Sequence, residues 1–303
     1  MGTASLAGQE PLSGVMRILY TGSRGQLGTE LTARLDSTDH EHLGIDIDTV
    51  DLCDRAAVHD AVAAFSPELI VHGAAFTAVD RCEVEPDTAF AVNSLATRFV
   101  AEAARVVGAH VVYVSTDYVF DGIKESPYRE WDTPSPRSVY GRSKLGGEHE
   151  LDPCWTVART SWVCSAHGNN MVKTVLGLLE SHDTLSFVDD QIGHPTFAGD
   201  LAERLLVLGT QRAPGTFHIT NDGPVSWYGF VRSIASAAGA DPERIRPVST
   251  ADYLAGRPAD APPMAPRPAN SVLDNFAWRG FGFGPPRHYT EPLAEVVAAL
   301  RGR

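Results

Sequence analysis

From Arg17 onward the chain alternates short, unbroken apolar runs with stretches whose apolar residues recur at helical spacing. Arg17-Ile18-Leu19-Tyr20-Thr21 is the first run. Leu27, Leu31 and Leu35 then repeat every fourth residue, on one face of a helix. The same alternation predicts a second strand over His42 to Ile47, a helix over Ala56 to Phe65 and a buried strand at Leu69-Ile70-Val71. Pro86 suits the first turn of a helix, and a long one is expected behind it, with Phe90, Leu95, Phe99 and Ala103 as its apolar face. Val111 to Val114 reads as a further buried strand. Strands alternating with helices predict an α/β fold on a doubly wound parallel sheet, with right-handed crossovers and a ligand cleft at the strand carboxyl ends.

The rhythm loosens after about residue 165, and Pro258, Pro262, Pro263, Pro266 and Pro268 mark a loop closed to regular helix. The expected division is therefore a disordered leader over 1–15, with Met16 as a candidate alternative start, and a main domain over 16–165. Residues 166–303 form mainly a smaller C-terminal α/β domain, with some later segments returning to the first. A length of 303 residues suits such an arrangement.

Composition narrows the function classes. Hydrophobic residues at 43% and charged residues at 21% describe an ordinary globular chain. A net charge of −13 is a poor footprint for nucleic acid or an anionic membrane surface. No apolar run is long enough to span a bilayer, and the first residues lack the pattern of a secretory signal. The charge is uneven: residues 223–303 carry a slight excess of Arg, which makes that quarter the less repulsive one for an anionic ligand. Cys53, Cys82, Cys154 and Cys164 lie far apart, which indicates neither zinc nor a disulfide framework and fits reduced thiols in a cytoplasm.

The first strand runs into Gly22-Ser23-Arg24-Gly25-Gln26-Leu27-Gly28, a G-x-x-G-x-x-G loop that opens a helix. Glycines there let the main chain approach a pyrophosphate, whose charge the helix amides stabilise, so strand, loop and helix together point to a dinucleotide site. Asp46, at the end of the second strand, is placed for an adenosine ribose hydroxyl and favours NADH. Arg24 could pair with a 2′-phosphate and favours NADPH. Tyr140 and Lys144 stand at i and i+4, on one helical face, as a proton donor beside a cation that stabilises its phenolate. Ser115-Thr116-Asp117-Tyr118 ends the strand from Val111 and brings a hydroxyl toward the same substrate oxygen. There is no G-x-S-x-G elbow, H-E-x-x-H or P-loop to support a rival chemistry.

The T-G-x-x-G-x-x-G loop, Ser115 to Phe120 and Tyr140-x-x-x-Lys144 resemble the extended short-chain dehydrogenases/reductases. Ala74 to Asp80, Arg159 to Val163, Gly168-Asn169-Asn170, Asp190 to Thr196 and Arg267 to Ser271 narrow the resemblance to the dTDP-4-dehydrorhamnose reductases. That resemblance implies a Rossmann domain with a substrate-binding domain, and NADPH-dependent (NADH possible) reduction of the 4-keto group of a dTDP-linked 4-keto-6-deoxy sugar. It makes Tyr140 the general acid, Lys144 its activator and ribose ligand, and Thr116 the hydroxyl on the carbonyl. It implies cofactor contacts at Gly22, Arg24, Gly25, Gln26, Leu27, Gly28, Asp46, Ala74, Ala75 and Asn93, besides Tyr140 and Lys144. It implies substrate contacts at Asp117, Tyr118, Trp162, Asn169, Asn170, Lys173, Arg267 and Asn270. A homodimer is a possible assembly. Glu30 matches one carboxylate of a cation-bridged dimer in some relatives, but Gly199-Asp200 does not supply the rest, so no metal is expected. Two alternatives stay open: a reductase for another deoxysugar, such as a 6-deoxytalose or an antibiotic sugar, and a non-catalytic NADP-binding subunit resembling the regulatory β subunit of methionine adenosyltransferase.

Overall fold

The computed structural model describes residues 14–258 and 260–302; most of the expected leader thus lies outside the described residues. Met16 is buried and donates its N–H to His40 Nδ1 at 3.1 Å. The first half is β1 (Arg17–Thr21), α1 (Gln26–Leu35), β2 (Glu41–Ile45), α2 (Arg55–Phe65), β3 (Leu69–His72), α3 (Val79–Val84), α4 (Pro86–Phe90), a π turn (Ala91–Leu95), α5 (Ala96–Val107), β4 (His110–Thr116), α6 (Val139–Glu148) and β5 (Thr156–Thr160). Its strands join a six-stranded parallel sheet in the order β2-β1-β3-β4-β5-β10, where β10 is Gly215–His218. Strands β3 and β5 are buried at every residue, as a parallel sheet covered on both faces requires. Leu31 and Leu35 of α1 pack on one face with Leu201, Leu205 and Leu208; Val58, Val62, Val100 and Ala104 cover the other.

The chain then leaves the sheet through β6 (Val163–Cys164), α7 (Met171–Ser181), β7 (Leu185–Val188), β8 (Ile192–Gly193) and β9 (Thr196–Phe197). It returns by α8 (Ala198–Thr210) and β10, and ends with β11 (Val225–Ser226), α9 (Trp227–Ala237), β12 (Ile245–Val248), α10 (Thr250–Ala255), α11 (Phe276–Gly280) and α12 (Thr290–Leu300). A separate core of Val172, Val175, Phe230, Ile234, Leu293 and Val297 unites α7, α9 and α12, while β7 and β12 pair in parallel.

Two expectations need correction. Strand β2 stops at Ile45 because the Asp46 carboxylate takes the Ile47 N–H (2.8 Å) and the Arg24 N–H (2.9 Å), which turns the chain. The long helix behind Pro86 is interrupted by the π turn, whose extra residue rotates the face. Phe90 and Leu95 are consequently 41% and 44% exposed, and Ala89, Asn93 and Ala96 face inward.

Candidate active site

The carboxyl ends of β1, β3, β4 and β5 open into one cleft of about 890 Å³, in the upper range for small-molecule sites. At its floor Gly22 takes φ +74° and lies so close to Ala74 that a Cβ would stand 3.1 Å from the Ala74 backbone. A Cβ on Gly28 would stand 2.2 Å from the Gly22 carbonyl, so only glycine fits there. Gly25 caps α1 without a side-chain hydrogen bond, which leaves first-turn amides free for an anion. These residues fit a dinucleotide's pyrophosphate. Beyond the loop, Asp46 holds the Arg24 backbone and the Arg24 guanidinium pairs with Asp48.

Helix α6 supplies the reactive pair. Ser138 caps it by accepting the Gly141 N–H at 3.0 Å, and Gly141 fits only as glycine, because a Cβ would stand 2.1 Å from the Tyr118 carbonyl. Tyr140 in its first turn is buried, and burial reinforced by the Asp117 charge pushes its phenol well above 10, with the Thr116 hydroxyl acting against the rise. Burial lowers Lys144 to about 7, opposed by the Glu148 charge; its Nζ lies 4.0 Å from the Tyr113 ring centroid. Glu148, a turn further on, is locked by Arg159 (2.6 Å) and by the Ser115 hydroxyl (2.5 Å). Thr116 donates to Asp117 Oδ1 (2.9 Å) and accepts the Tyr118 N–H (3.1 Å), while burial raises Asp117 to about 6. Across from them, Trp162 holds φ +45° and stacks on Trp227 at 3.6 Å.

The cleft lining thus brings together Gly22, Arg24, Gly25, Gln26, Leu27, Gly28, Asp46, Ala74, Ala75, Thr116, Asp117, Tyr118, Tyr140, Lys144 and Trp162. Six expected contacts fall outside that lining, and in Asn93, Asn170, Arg267 and Asn270 the side-chain polar atoms serve the fold. Asn93 is buried under the floor, where Oδ1 accepts the Phe76 N–H (2.8 Å) and Nδ2 donates to Ser143 Oγ (2.9 Å). Asn170 caps α7 and donates to Gln26 Oε1 (2.9 Å), and Asn169 offers its carbonyl to Gln26 Nε2 (3.5 Å). Lys173 is exposed on α7. Arg267 is paired with Asp80 (2.9 Å), and Asn270 Nδ2 donates to the Lys124 carbonyl (2.6 Å).

Residues 16–301 match the family model described as the RmlD substrate binding domain. The chain belongs to that family. It is 41% identical to the dTDP-4-dehydrorhamnose reductase of Streptomyces griseus over 95% of each chain. It is 38% identical to a probable dTDP-4,6-dihydroxy-2-methyloxan-3-one 4-ketoreductase of Streptomyces antibioticus, over 93% of this chain and 94% of that one. It is also similar to the crystal structure of dTDP-4-dehydrorhamnose reductase from Bacillus anthracis in complex with NADP. There the TM-score is 0.88 and the identity 35%, over 94% of this chain and 100% of that one.

Within this RmlD-family site, three groups escaped the sequence reading. Trp227, at the start of α9, lines the cleft beside Trp162, yet in sequence it is one aromatic among core residues. The buried Glu148–Arg159 pair joins α6 to β5; Arg159 stood in a stretch that carries the resemblance, but nothing in sequence paired it with Glu148. His72 ends β3 beneath the floor and carries no motif signal of its own.

Proposed function

We propose that this chain reduces the 4-keto group of a dTDP-linked 4-keto-6-deoxy sugar, foremost dTDP-4-dehydrorhamnose to dTDP-L-rhamnose, with NADPH as reductant. The observation that carries the reading is the convergence of Thr116, Tyr140 and Lys144 on the cleft that the glycine loop floors. The amides of Gly25 to Gly28 would hold the pyrophosphate, Ala74 and Ala75 would line the nucleotide's path, and Lys144 would meet the ribose hydroxyls. NADPH, when bound, supplies the hydride that C4 receives. The C4 oxygen then needs a proton, and Tyr140 stays fully protonated at neutral pH because burial and Asp117 oppose its ionisation. Lys144, poised near 7, offers the positive charge that offsets the phenolate. Thr116 donates to Asp117, and rotation of its hydroxyl would turn that proton to the carbonyl. Asp117, Tyr118 and Trp162 are the proposed sugar contacts. Four free cysteines support a cytoplasmic setting, and the exposed Phe90 and Leu95 support a homodimer, which sedimentation equilibrium would check.

The test is turnover of a panel of dTDP-4-keto sugars with NADPH, the product identified by NMR, in the parent and in Tyr140→Phe. The variant keeps the ring and should lose about 10²-fold or more in kcat. No turnover of any panel member by the parent, or parental rates in Tyr140→Phe, would overturn the reading.

A further inference from the structure

Beneath the cleft floor runs a chain of buried hydrogen bonds centred on His72, whose side chain is fully buried. Its Nδ1 lies 2.7 Å from Thr21 Oγ1, and its Nε2 lies 3.1 Å from Thr97 Oγ1. The neighbours fix which nitrogen carries the proton. Thr97 Oγ1 donates to the Asn93 carbonyl (2.9 Å), so its lone pair faces His72 and Nε2 must be the N–H donor. Nδ1 is then the acceptor and takes the Thr21 hydroxyl proton. Thr21 Oγ1 in turn accepts the Ala74 N–H at 3.0 Å. With the other tautomer, the Thr21 proton would have no acceptor among the contacts of the described residues, a cost a buried hydroxyl does not bear cheaply.

The two ends of this chain hold the two halves of the reaction. At one end Ala74 is part of the cleft floor, against Gly22. At the other, Asn93 binds both Phe76 backbone groups and Ser143 Oγ, and Ser143 donates to the Tyr140 carbonyl at 2.8 Å. We propose that His72, as a neutral imidazole with its proton on Nε2, is a positioning residue that sets the cofactor floor at Ala74 against the proton donor on α6. This rests on the ketoreductase reading above. Burial, with the Lys144 charge, lowers His72 to about 3, so it adds no second positive charge behind Lys144.

The experiment compares the parent with His72→Leu, which removes both nitrogens, and His72→Gln, which restores one donor and one acceptor. Thr97→Val cuts the chain one bond further on and serves if His72→Leu does not fold. His72→Leu or Thr97→Val should lower kcat at least tenfold while KM for the sugar nucleotide changes less than threefold, with part of kcat recovered in His72→Gln. Replacing the transferred hydrogen of NADPH by deuterium should slow these variants more than the parent, because misplacement raises the chemical barrier alone. In the parent, ¹⁵N NMR should show an Nε2–H imidazole that does not titrate between pH 5 and 8. The proposal falls if the folded variants keep kcat within twofold of the parent, or if the proton is found on Nδ1. A parent without turnover would instead sink the functional reading, leaving the tautomer measurement to decide the hydrogen-bond chain.

Discussion

Arg24 lines the cleft beside Asp46 with its guanidinium engaged by Asp48, an exposed pair whose partners are 72% and 37% accessible. A 2′-phosphate must compete for that cation, and exposed pairs are worth about 0.2–1 kcal/mol. Asp48→Asn should therefore raise kcat/KM for NADPH relative to NADH by about 1.4- to fivefold, and Arg24→Ala should lower the same ratio. If both ratios stay at the parental value, Arg24 does not read the phosphate. Arg267 poses the same problem in another form. Its motif resembles a nucleotide contact, yet Asp80 and the Ala265 carbonyl already occupy its donors. Arg267→Gln should cost about 1 kcal/mol in urea unfolding and leave dTDP affinity within twofold; a tenfold loss of affinity at unchanged stability would restore it as a ligand. Glycine spacing was legible because the backbone leaves no room for a Cβ at Gly22 and Gly28, and Tyr140/Lys144 because i and i+4 share one helical face. For Arg267, Asn170 and Asn270 the residue type serves a clasp as well as a ligand, and the pairing with Asp80, Gln26 or a carbonyl spans too much chain for a motif to show.

Helix boundaries came through in sequence where a 3.6-residue period held, as in α1 and α2, and failed where it did not. The π turn at Ala91–Leu95 breaks the period: it turns Asn93 inward, onto Phe76 and Ser143, while Phe90 turns out. Helix α6 escaped the apolar pattern differently, since its buried face is Tyr140, Ser143, Lys144 and Gly147 rather than Leu or Val. That face has a stability cost with a definite pH dependence. Lys144 falls from 10.5 to about 7 on folding, chiefly through burial, so between those values the unfolded chain binds more protons than the folded one. Stability from this group accordingly rises with pH from about 7 toward 10.5. Lys144→Met should melt above the parent at pH 7, and the gap should narrow as pH climbs to 10. A gap that stays constant would mean that Lys144 is not buried as a depressed base.

At the scale of the molecule, the residues beyond 165 divide between two cores: α7, α9 and α12 build one of their own, while α8 and β10 join that of the six-stranded sheet. Helix α8 crosses back to lie on α1 and the sheet, and β10 adds the sixth strand beside β5. Neither shows in sequence as belonging to the first half, because tertiary packing and not local pattern assigns them there. Leu201, Leu205, Leu208 and Phe217 are all essentially inaccessible and pack with Ile18, Leu31, Leu69 and Val112. Each fully buried side chain of this size contributes about 1.5–3 kcal/mol, so these four alone approach the entire 5–15 kcal/mol by which a typical domain is stable. A fragment of residues 16–165 would expose that face of the sheet and lose the strand covering β5. Expressed alone, it should show no cooperative urea transition and no protection of β3 and β4 amides from hydrogen exchange, whereas the full chain should protect both. A sharp transition and protected amides in the fragment would show that the glycine-loop half is a self-sufficient unit, and that α8 and β10 position the substrate side without sustaining the cofactor side.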